Sequence, residues 1–208
     1  HRVDRRQRQM CIRDSFTTGT QTLAGANTYT GTTTINGGTL IITNNTGLGS
    51  DSGGAVTIAS GATLDLYNVA VGAKAINLNG GTLTDVTSSL AGNITLGANS
   101  NLGATNVGDV FTLSGIISGN FGITKTGLGT VILTGVNTYS GSTTVSAGTL
   151  VLSGSGSIAA SSGLTNNAIF DISATSSGAS IIGLTGNSSG SVVLGNRTLT
   201  ISNASDRF

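Results

Sequence analysis

One stretch of this chain occurs twice, and a repeat of this kind limits the folds that the chain can adopt. The segment GTQTLAGANTYTGTTTINGGTLII at 19–42 returns as GTVILTGVNTYSGSTTVSAGTLVL at 129–152, identical at 13 of 24 aligned positions. Self-similar sequences fold into repeat architectures, in which each unit buries its apolar face against its neighbours. The duplication therefore favours a solenoid; two hairpins of an ordinary β-sandwich are the alternative.

The two copies share residues that set backbone geometry, and their apolar side chains are of similar size. Glycine and asparagine suit turns with positive φ or close backbone approach, and the spacing of Leu40 from Ile42, or of Leu150 from Leu152, has the period of two of a strand. We predict that the shared positions are structural. They are Gly19, Leu23, Gly25, Asn27, Tyr29, Gly31, Gly38 and Leu40 in the first copy, and Gly129, Leu133, Gly135, Asn137, Tyr139, Gly141, Gly148 and Leu150 in the second.

Two details of the repeat lead to specific expectations. Gln21 stands where the second copy has Val131, so a polar side chain falls on the apolar face of the first copy and should weaken its packing. Tyr29 and Tyr139 occupy equivalent positions and could stack on sugars. We expect instead that each ring covers a corner of the core.

The rest of the chain from Phe16 onward is uniform in composition and is typical of an all-β protein. Short apolar runs rich in Thr, Val and Ile, such as TLDLY, TVILT and TLVL, recur every dozen residues or less and are separated by GG, NN and SG clusters. Such clusters favour turns, and β-branched residues favour strands. No stretch has helical periodicity, so residues 16–208 are predicted to form one all-β domain.

The repeated residues resemble the passenger-associated repeat of bacterial autotransporters. That pattern consists of a Gly-Thr strand, an NTYSG-like turn, a TTV-like strand and a GTL strand; 124–152 matches it along its whole length, and 19–42 matches it less closely. The resemblance implies a right-handed, single-stranded parallel β-helix. With coils of about 20 to 22 residues, residues 16–208 would form roughly nine coils, in a rod about 40 Å long.

The family resemblance also implies partners and a location. Its members are exported through a C-terminal β-barrel translocator in the outer membrane, which would be a partner in cis outside this chain. The implied location is the cell surface or the exterior of a Gram-negative-type bacterium, with a host or matrix surface as a candidate partner. NVGDVF at 106–111 leads into the second repeat copy, whereas the similar NASDRF at 203–208 ends the chain. We therefore expect a fragment, uncapped at both ends, whose open strand edges promote association.

The first fifteen residues, HRVDRRQRQMCIRDS, differ from everything that follows. They hold five of the nine basic residues and the only His, Cys and Met of the chain. Residues 5–15 resemble the translation of a sequencing adapter, and the segment lacks the apolar core of a signal peptide, so we interpret residues 1–15 as a non-native scar. Without them, four basic residues face six acidic ones, and no basic stripe for nucleic acid or for an anionic membrane remains.

Residues 16–208 offer little catalytic chemistry. They contain no His, Cys, Glu or Trp, which excludes Ser-His-Asp and Cys-His nucleophilic sites and His- or thiolate-ligated metal sites from this segment. The six Asp residues are spaced singly in the sequence, whereas polysaccharide lyases and glycosidases need clustered carboxylates. We expect no catalytic residue, no cofactor and no metal site.

A surplus of Thr raises the question of an ice-ordering face like that of ice-binding solenoids. Such a face needs Thr-x-Thr in every coil, and TQT at 20–22 and TLTIS at 198–202 look isolated in the sequence. We therefore expect no such ladder.

The function predicted from these observations is structural. The chain would be a stalk segment of a secreted or surface-displayed autotransporter-type adhesin, without membrane insertion of its own, whose repeats promote folding and export. A chain without Cys cannot be trapped by disulfides in the periplasm, and stacked coils can fold progressively as they emerge. The alternative is a non-catalytic part of a β-helical lyase or hydrolase.

Overall fold

The computed structural model describes residues 19–203. The adapter-like segment and the end of NASDRF lie outside these residues. All regular elements between 19 and 203 are β-strands, which confirms the all-β prediction. In chain order they are β1 (Thr20–Leu23), β2 (Thr33–Ile35), β3 (Thr39–Ile42), β4 (Val56–Ala59), β5 (Thr63–Tyr67), β6 (Ala70–Val71), β7 (Ile76–Asn79), β8 (Thr82–Val86), β9 (Ser88–Leu90), β10 (Ile94–Ala98), β11 (Ser100–Gly103), β12 (Val110–Leu113), β13 (Ile117–Gly119), β14 (Ile123–Thr126), β15 (Thr130–Leu133), β16 (Thr143–Val145), β17 (Thr149–Gly154), β18 (Leu164–Asn166), β19 (Ile169–Thr175), β20 (Ala179–Ile181), β21 (Leu184–Gly186), β22 (Ser191–Val193) and β23 (Leu199–Ile201).

The strands stack into parallel sheets that run along the molecule. The nine-stranded sheet has the order β1-β3-β5-β8-β11-β14-β16-β18-β21, the seven-stranded sheet β22-β19-β17-β15-β12-β9-β6, and the five-stranded sheet β13-β10-β7-β4-β2; β20 and β23 form a small fourth sheet. The chain passes from the five-stranded to the nine-stranded to the seven-stranded sheet and back, as in β7, β8, β9 and β10. This is a β-solenoid of about nine coils, as predicted.

Coil length varies along the solenoid. In the nine-stranded sheet, Thr39 aligns with Thr20 and Thr63 aligns with Thr39, so one coil covers 20–38 and the next, which is longer, covers 39–62. The longer coil contains the loop 43–55, whose Leu48 side chain is buried. Loops thus absorb differences in sequence length while the strands keep their stacking.

The core lies between the three long sheets and consists of columns of aligned inward residues. One such column in the seven-stranded sheet contains Val71, Leu90, Leu113, Leu133 and Leu152, and all five are buried. Because the side-chain period of a strand is two, the register that aligns one apolar residue aligns the whole apolar face. Each buried side chain of this size contributes about 1.5–3 kcal/mol relative to exposure.

The three long sheets differ in regularity. The register shifts between Leu96 and Ala98 in the five-stranded sheet, and between Val151 and Ser153 in the seven-stranded sheet. The pairings of the nine-stranded sheet, within the part of the chain that the structure describes, run from β1 to β21 without a shift. The nine-stranded sheet is therefore the most regular surface of the solenoid.

Candidate functional site

Each copy of the repeat forms one complete coil. In the first copy, β1 pairs with β3, and Leu23 aligns with Ile42; in the second, β15 pairs with β17, and Leu133 aligns with Leu152. Both pairings join equivalent positions of the repeat, so each copy starts and ends on the same side of the solenoid with its own backbone hydrogen bonds. The sequence repeat is thus a structural unit that closes on itself.

The two copies do not lie on the same sides of the solenoid. The first copy begins and ends in the nine-stranded sheet, with β2 in the five-stranded sheet, whereas the second begins and ends in the seven-stranded sheet, with β16 in the nine-stranded sheet. Along the nine-stranded sheet, β14 lies five coils after β1. β15, the first strand of the second copy, comes directly after β14 and lies in the seven-stranded sheet. The second copy is therefore displaced from the first by five coils and part of a turn.

The tyrosine of the turn makes the same contact in both copies of the repeat. The hydroxyl groups of Tyr29 and Tyr139 lie 2.7 and 2.6 Å from the Oγ1 atoms of Thr33 and Thr143. Tyr139 is fully buried, which leaves no face of its ring free for a sugar, and Tyr29 is half-buried. Burial raises the pKa of both tyrosines.

Asn27 and Asn137 tie each repeat to the following coil. The Nδ2 atom of Asn27 donates to the carbonyl of Gly47 at 2.8 Å, and that of Asn137 donates to the carbonyl of Ser157 at 3.0 Å, both 20 residues ahead. The Oδ1 atom of Asn137 also accepts from the backbone of Ile117 in the preceding coil at 2.8 Å. Asn137 thereby satisfies a backbone group of β13, which is the edge strand of the five-stranded sheet.

The glycines of the repeat allow close contact between coils. Gly38 and Gly148 have φ of +66° and +63°, and a Cβ atom there would approach the carbonyl oxygens of Gly19 and Gly129 to 2.5 and 2.3 Å. At Gly135 a Cβ would lie 2.6 Å from the carbonyl oxygen of Gly115, whereas Gly25 has open space around it. Of the remaining repeat glycines, Gly19 has a φ of +123°, Gly31 is half-buried, Gly129 lies close to backbone of the loop 104–109, and Gly141 lies against Phe121 and Gly122.

The leucines of the repeat lie in the core, with one exception. Leu40, Leu133 and Leu150 are buried, whereas Leu23 is only partly buried. Gln21 is exposed where Val131 is buried, which agrees with the expected weaker packing of the first copy. β1 is accordingly the more exposed of the two equivalent strands.

Three of the singly spaced Asp residues lie near enough to influence one another electrostatically, although they form no group that could hold a metal ion. Asp65, Asp85 and Asp109 interact electrostatically at the corner between the nine- and seven-stranded sheets, and Asp85 also interacts with Lys125. Asp85 and Lys125 are fully buried. Asp65 and Asp85 approach each other because they lie on the neighbouring strands β5 and β8, and Asp109 directly precedes β12.

These buried charges have perturbed pKa values. Burial is the main cause that raises the pKa of Asp85 to about 7 and lowers the pKa of Lys125 to about 8. The Oδ2 atom of Asp85 accepts from the backbone of Ser88, while its Oδ1 atom has no hydrogen-bond partner. Lys125 Nζ donates to the carbonyls of Thr126, Gly127 and Ala147 at 2.8, 2.8 and 3.0 Å. Because side chains alternate along a strand, Asp85 points inward with Leu83, and Lys125 points inward with Ile123. These inward charges could therefore have been predicted from the sequence.

A second buried lysine lies near the first repeat. Lys74 is fully buried, its Nζ donates to the carbonyl of Ser50 at 2.9 Å, and it lies 5.7 Å from the centroid of the Tyr29 ring. Burial lowers the pKa of Lys74, and Asp51 opposes this shift. This lysine joins the loop 43–55 to the solenoid.

Residues 19–203 show no feature that favours acid–base or metal chemistry. No group of three potential metal ligands lies together there, and fully buried Asp85 cannot reach a substrate. Clefts of about 400 and 270 Å³ near β21 and β20 have no ionisable lining residue. No helix in this range is long and apolar enough to cross a membrane.

The nine-stranded sheet carries a feature that sequence reasoning missed. One outward row, aligned in register, consists of eight threonines and one asparagine, which are Thr20, Thr39, Thr63, Thr82, Asn101, Thr124, Thr144, Thr165 and Thr185. We call it the threonine ladder. The expectation that TQT at 20–22 stands alone is wrong: unequal coil lengths hide the alignment, and TLTIS at 198–202 belongs to another sheet.

Comparisons with known proteins place these features in context. The profile of the passenger-associated-transport-repeat family matches residues 18–42 and 123–152, which are the two copies of the sequence repeat. Over 122 residues, 58% of this chain, it is 38% identical to the adhesin BmaC autotransporter of Brucella suis biovar 1 (strain 1330). The chain spans about 3% of the length of that relative. No solved structure gives a significant match to the chain.

Proposed function

We propose that this chain is a stalk segment from the passenger of an autotransporter-type adhesin, and that its two repeats promote folding and export. The observation that carries this proposal is the closure of each repeat into one coil with the same internal register. A coil that has stacked on the folded part of the solenoid presents a parallel edge on which the following coil can stack in turn. Such progressive folding suits a chain that crosses a membrane from one end.

The similarity to an adhesin autotransporter and the two passenger-associated repeats support this role. The partner in cis would be an outer-membrane translocator, the location would be the bacterial surface or exterior, and a host or matrix surface would be the target. Residues 1–15 would have no part in it. No observation on the described residues favours the lyase or hydrolase alternative.

Substitution of one repeat residue in a full-length protein tests the proposed role. Leu150→Asp places a charge at a fully buried position of the second repeat, whereas Val151→Asp places the same charge on the outward side of the same strand. An isolated buried carboxylate costs several kcal/mol, so the L150D coil should fail to close. We expect surface display, measured by antibody labelling of intact cells, to fall with L150D and to persist with V151D. Undiminished display of L150D would overturn the proposal.

A further inference from the structure

The threonine ladder runs along the outer side of the nine-stranded sheet for all nine strands. Its members are half-buried or exposed, and each stands beside inward core residues such as Leu40, Leu64 and Leu83. Neighbouring members are one strand apart, about 4.8 Å, because backbone hydrogen bonds set that distance. The result is a file of side chains, one per coil, with one repeat distance.

The sheet under the ladder is regular. Its pairings contain no register shift between residues 19 and 203, in contrast to the other two long sheets. Threonine is β-branched and has a restricted χ1, so the hydroxyl and methyl groups of the file have little rotamer freedom to lose on docking. The face is therefore ordered before any partner arrives.

The hydroxyl groups of the ladder are available to an external lattice. Only two pairs in the file bond to each other: Thr165 and Thr185 through Oγ1 atoms at 3.1 Å, and Asn101 Nδ2 to Thr82 Oγ1 at 3.3 Å. Within the described residues, the hydroxyls of Thr39, Thr63 and Thr124 have no protein partner and must bond to water. A hydroxyl both donates and accepts, as each water of ice does.

The charge of this face also suits a neutral lattice. The outward residues of its strands include one charged side chain, Asp65, whose Oδ1 atom is buried. Lys125, the one cation on these strands, points into the core. A face without cations does not select phosphate or an acidic polymer.

We propose that the threonine ladder binds ice, its file of hydroxyl and methyl groups matching a lattice repeat of ice close to the strand spacing. A second outward column, two residues along each strand from the ladder, determines how strongly the face should bind ice. It has hydroxyls at Thr22, Thr84 and Thr126, but Ile41, Asp65 and Gly103 interrupt it. The ladder is complete except for Asn101, and the face falls short of Thr-x-Thr in every coil, so it should inhibit recrystallisation of ice without a large depression of the freezing point.

The test measures inhibition of ice recrystallisation and partitioning of the purified full chain into a growing ice hemisphere. The ladder variant is Thr82→Tyr with Thr124→Tyr, which interrupts the file on both sides of Asn101. The matched control is Thr57→Tyr with Thr95→Tyr, two outward positions of the five-stranded sheet. Circular dichroism and Tm show whether both variants fold.

We expect the ladder variant to need about tenfold more protein than wild type for equal inhibition, or ~1.4 kcal/mol of docking free energy, while the control equals wild type. If the tyrosine variant does not fold, Thr82→Val with Thr124→Val, which removes the hydroxyls at nearly constant volume, replaces it with the same expectation. The proposal is overturned if wild type neither inhibits recrystallisation nor enters ice. It is equally overturned if the ladder variant and the control lose inhibition of recrystallisation to the same degree. Retention of the chain by cellulose but not by ice would also overturn it.

Discussion

Asp85 occupies a strand position whose column otherwise contains apolar residues. Ile42, Leu66 and Asp85 are successive inward residues of β3, β5 and β8, and all are fully buried. Ala104, which follows β11 on the far side, is also fully buried. A carboxylate here lacks water, and Lys125 interacts with it electrostatically without a direct hydrogen bond to its Oδ1 atom. The residue therefore acts as a titratable defect in the core.

The pH dependence of stability follows from this position. Because burial raises the pKa of Asp85 to about 7, the folded protein loses stability as pH rises from the carboxyl's ordinary pKa near 4 to about 7. Asp85→Asn removes this penalty, so at pH 8 it should raise Tm and increase the free energy of unfolding by about a few kcal/mol. At pH 4 it should change Tm little. Thermal unfolding followed by circular dichroism at both pH values measures the difference. Asp171→Asn, on the outward side of β19, is the control and should change Tm little at either pH. Equal Tm values of D85N and wild type at pH 8 would contradict the idea that buried Asp85 destabilises the folded protein.

At the scale of the element, the repeat coil depends on glycine where two coils meet. Gly148 adopts a φ of +63°, and a Cβ there would lie 2.3 Å from the carbonyl oxygen of Gly129. Gly154, at the end of β17, adopts a similar φ of +60° but has open space around it. The two positions separate the effect of backbone strain from the effect of contact between coils.

Alanine substitution at these two glycines should therefore have unequal effects. Gly154→Ala introduces only left-handed strain and should cost about 1–2 kcal/mol. Gly148→Ala adds a clash with backbone that cannot move without opening the β15–β17 pairing, and should cost ~3 kcal/mol or more. Urea unfolding of both variants measures the free energies of unfolding. Equal losses would show that the close approach of Gly129 does not constrain the repeat.

The strands could be predicted from the sequence better than their alignment could. Alternation within TLII or TLVL identifies Leu40 and Leu150 as inward, because a strand has a strict period of two. The alignment of coils depends instead on loop lengths, and the adjacent coils 20–38 and 39–62 already differ in length. The threonine ladder and the corner formed by Asp65 and Asp85 are consequences of that alignment. For this reason neither was expected from residues that are far apart and unevenly spaced in the sequence.

On the scale of the whole molecule, stability is distributed coil by coil. Between residues 19 and 203, each strand pairs only with strands of the preceding and following coils, so no strand pairing joins distant parts of the solenoid directly. In such a one-dimensional array the stability of each coil depends on its own burial and on its neighbours. β10 and β12 have regularly alternating buried residues, whereas β1 and β22 have none that are fully buried.

Hydrogen exchange should therefore vary along the solenoid instead of reporting one global value. We expect the backbone amides of β10 and β12 to exchange roughly a hundredfold more slowly than those of β1 and β22, about 3 kcal/mol in opening free energy. Mass-spectrometric exchange of the intact chain at neutral pH, corrected for intrinsic rates, measures both groups in one sample. A repeat of the measurement at a second pH checks that exchange follows the opening equilibrium. Uniform protection across these strands would mean that the coils open as one cooperative unit, and coil-by-coil folding of the repeats during export would then lose its physical basis.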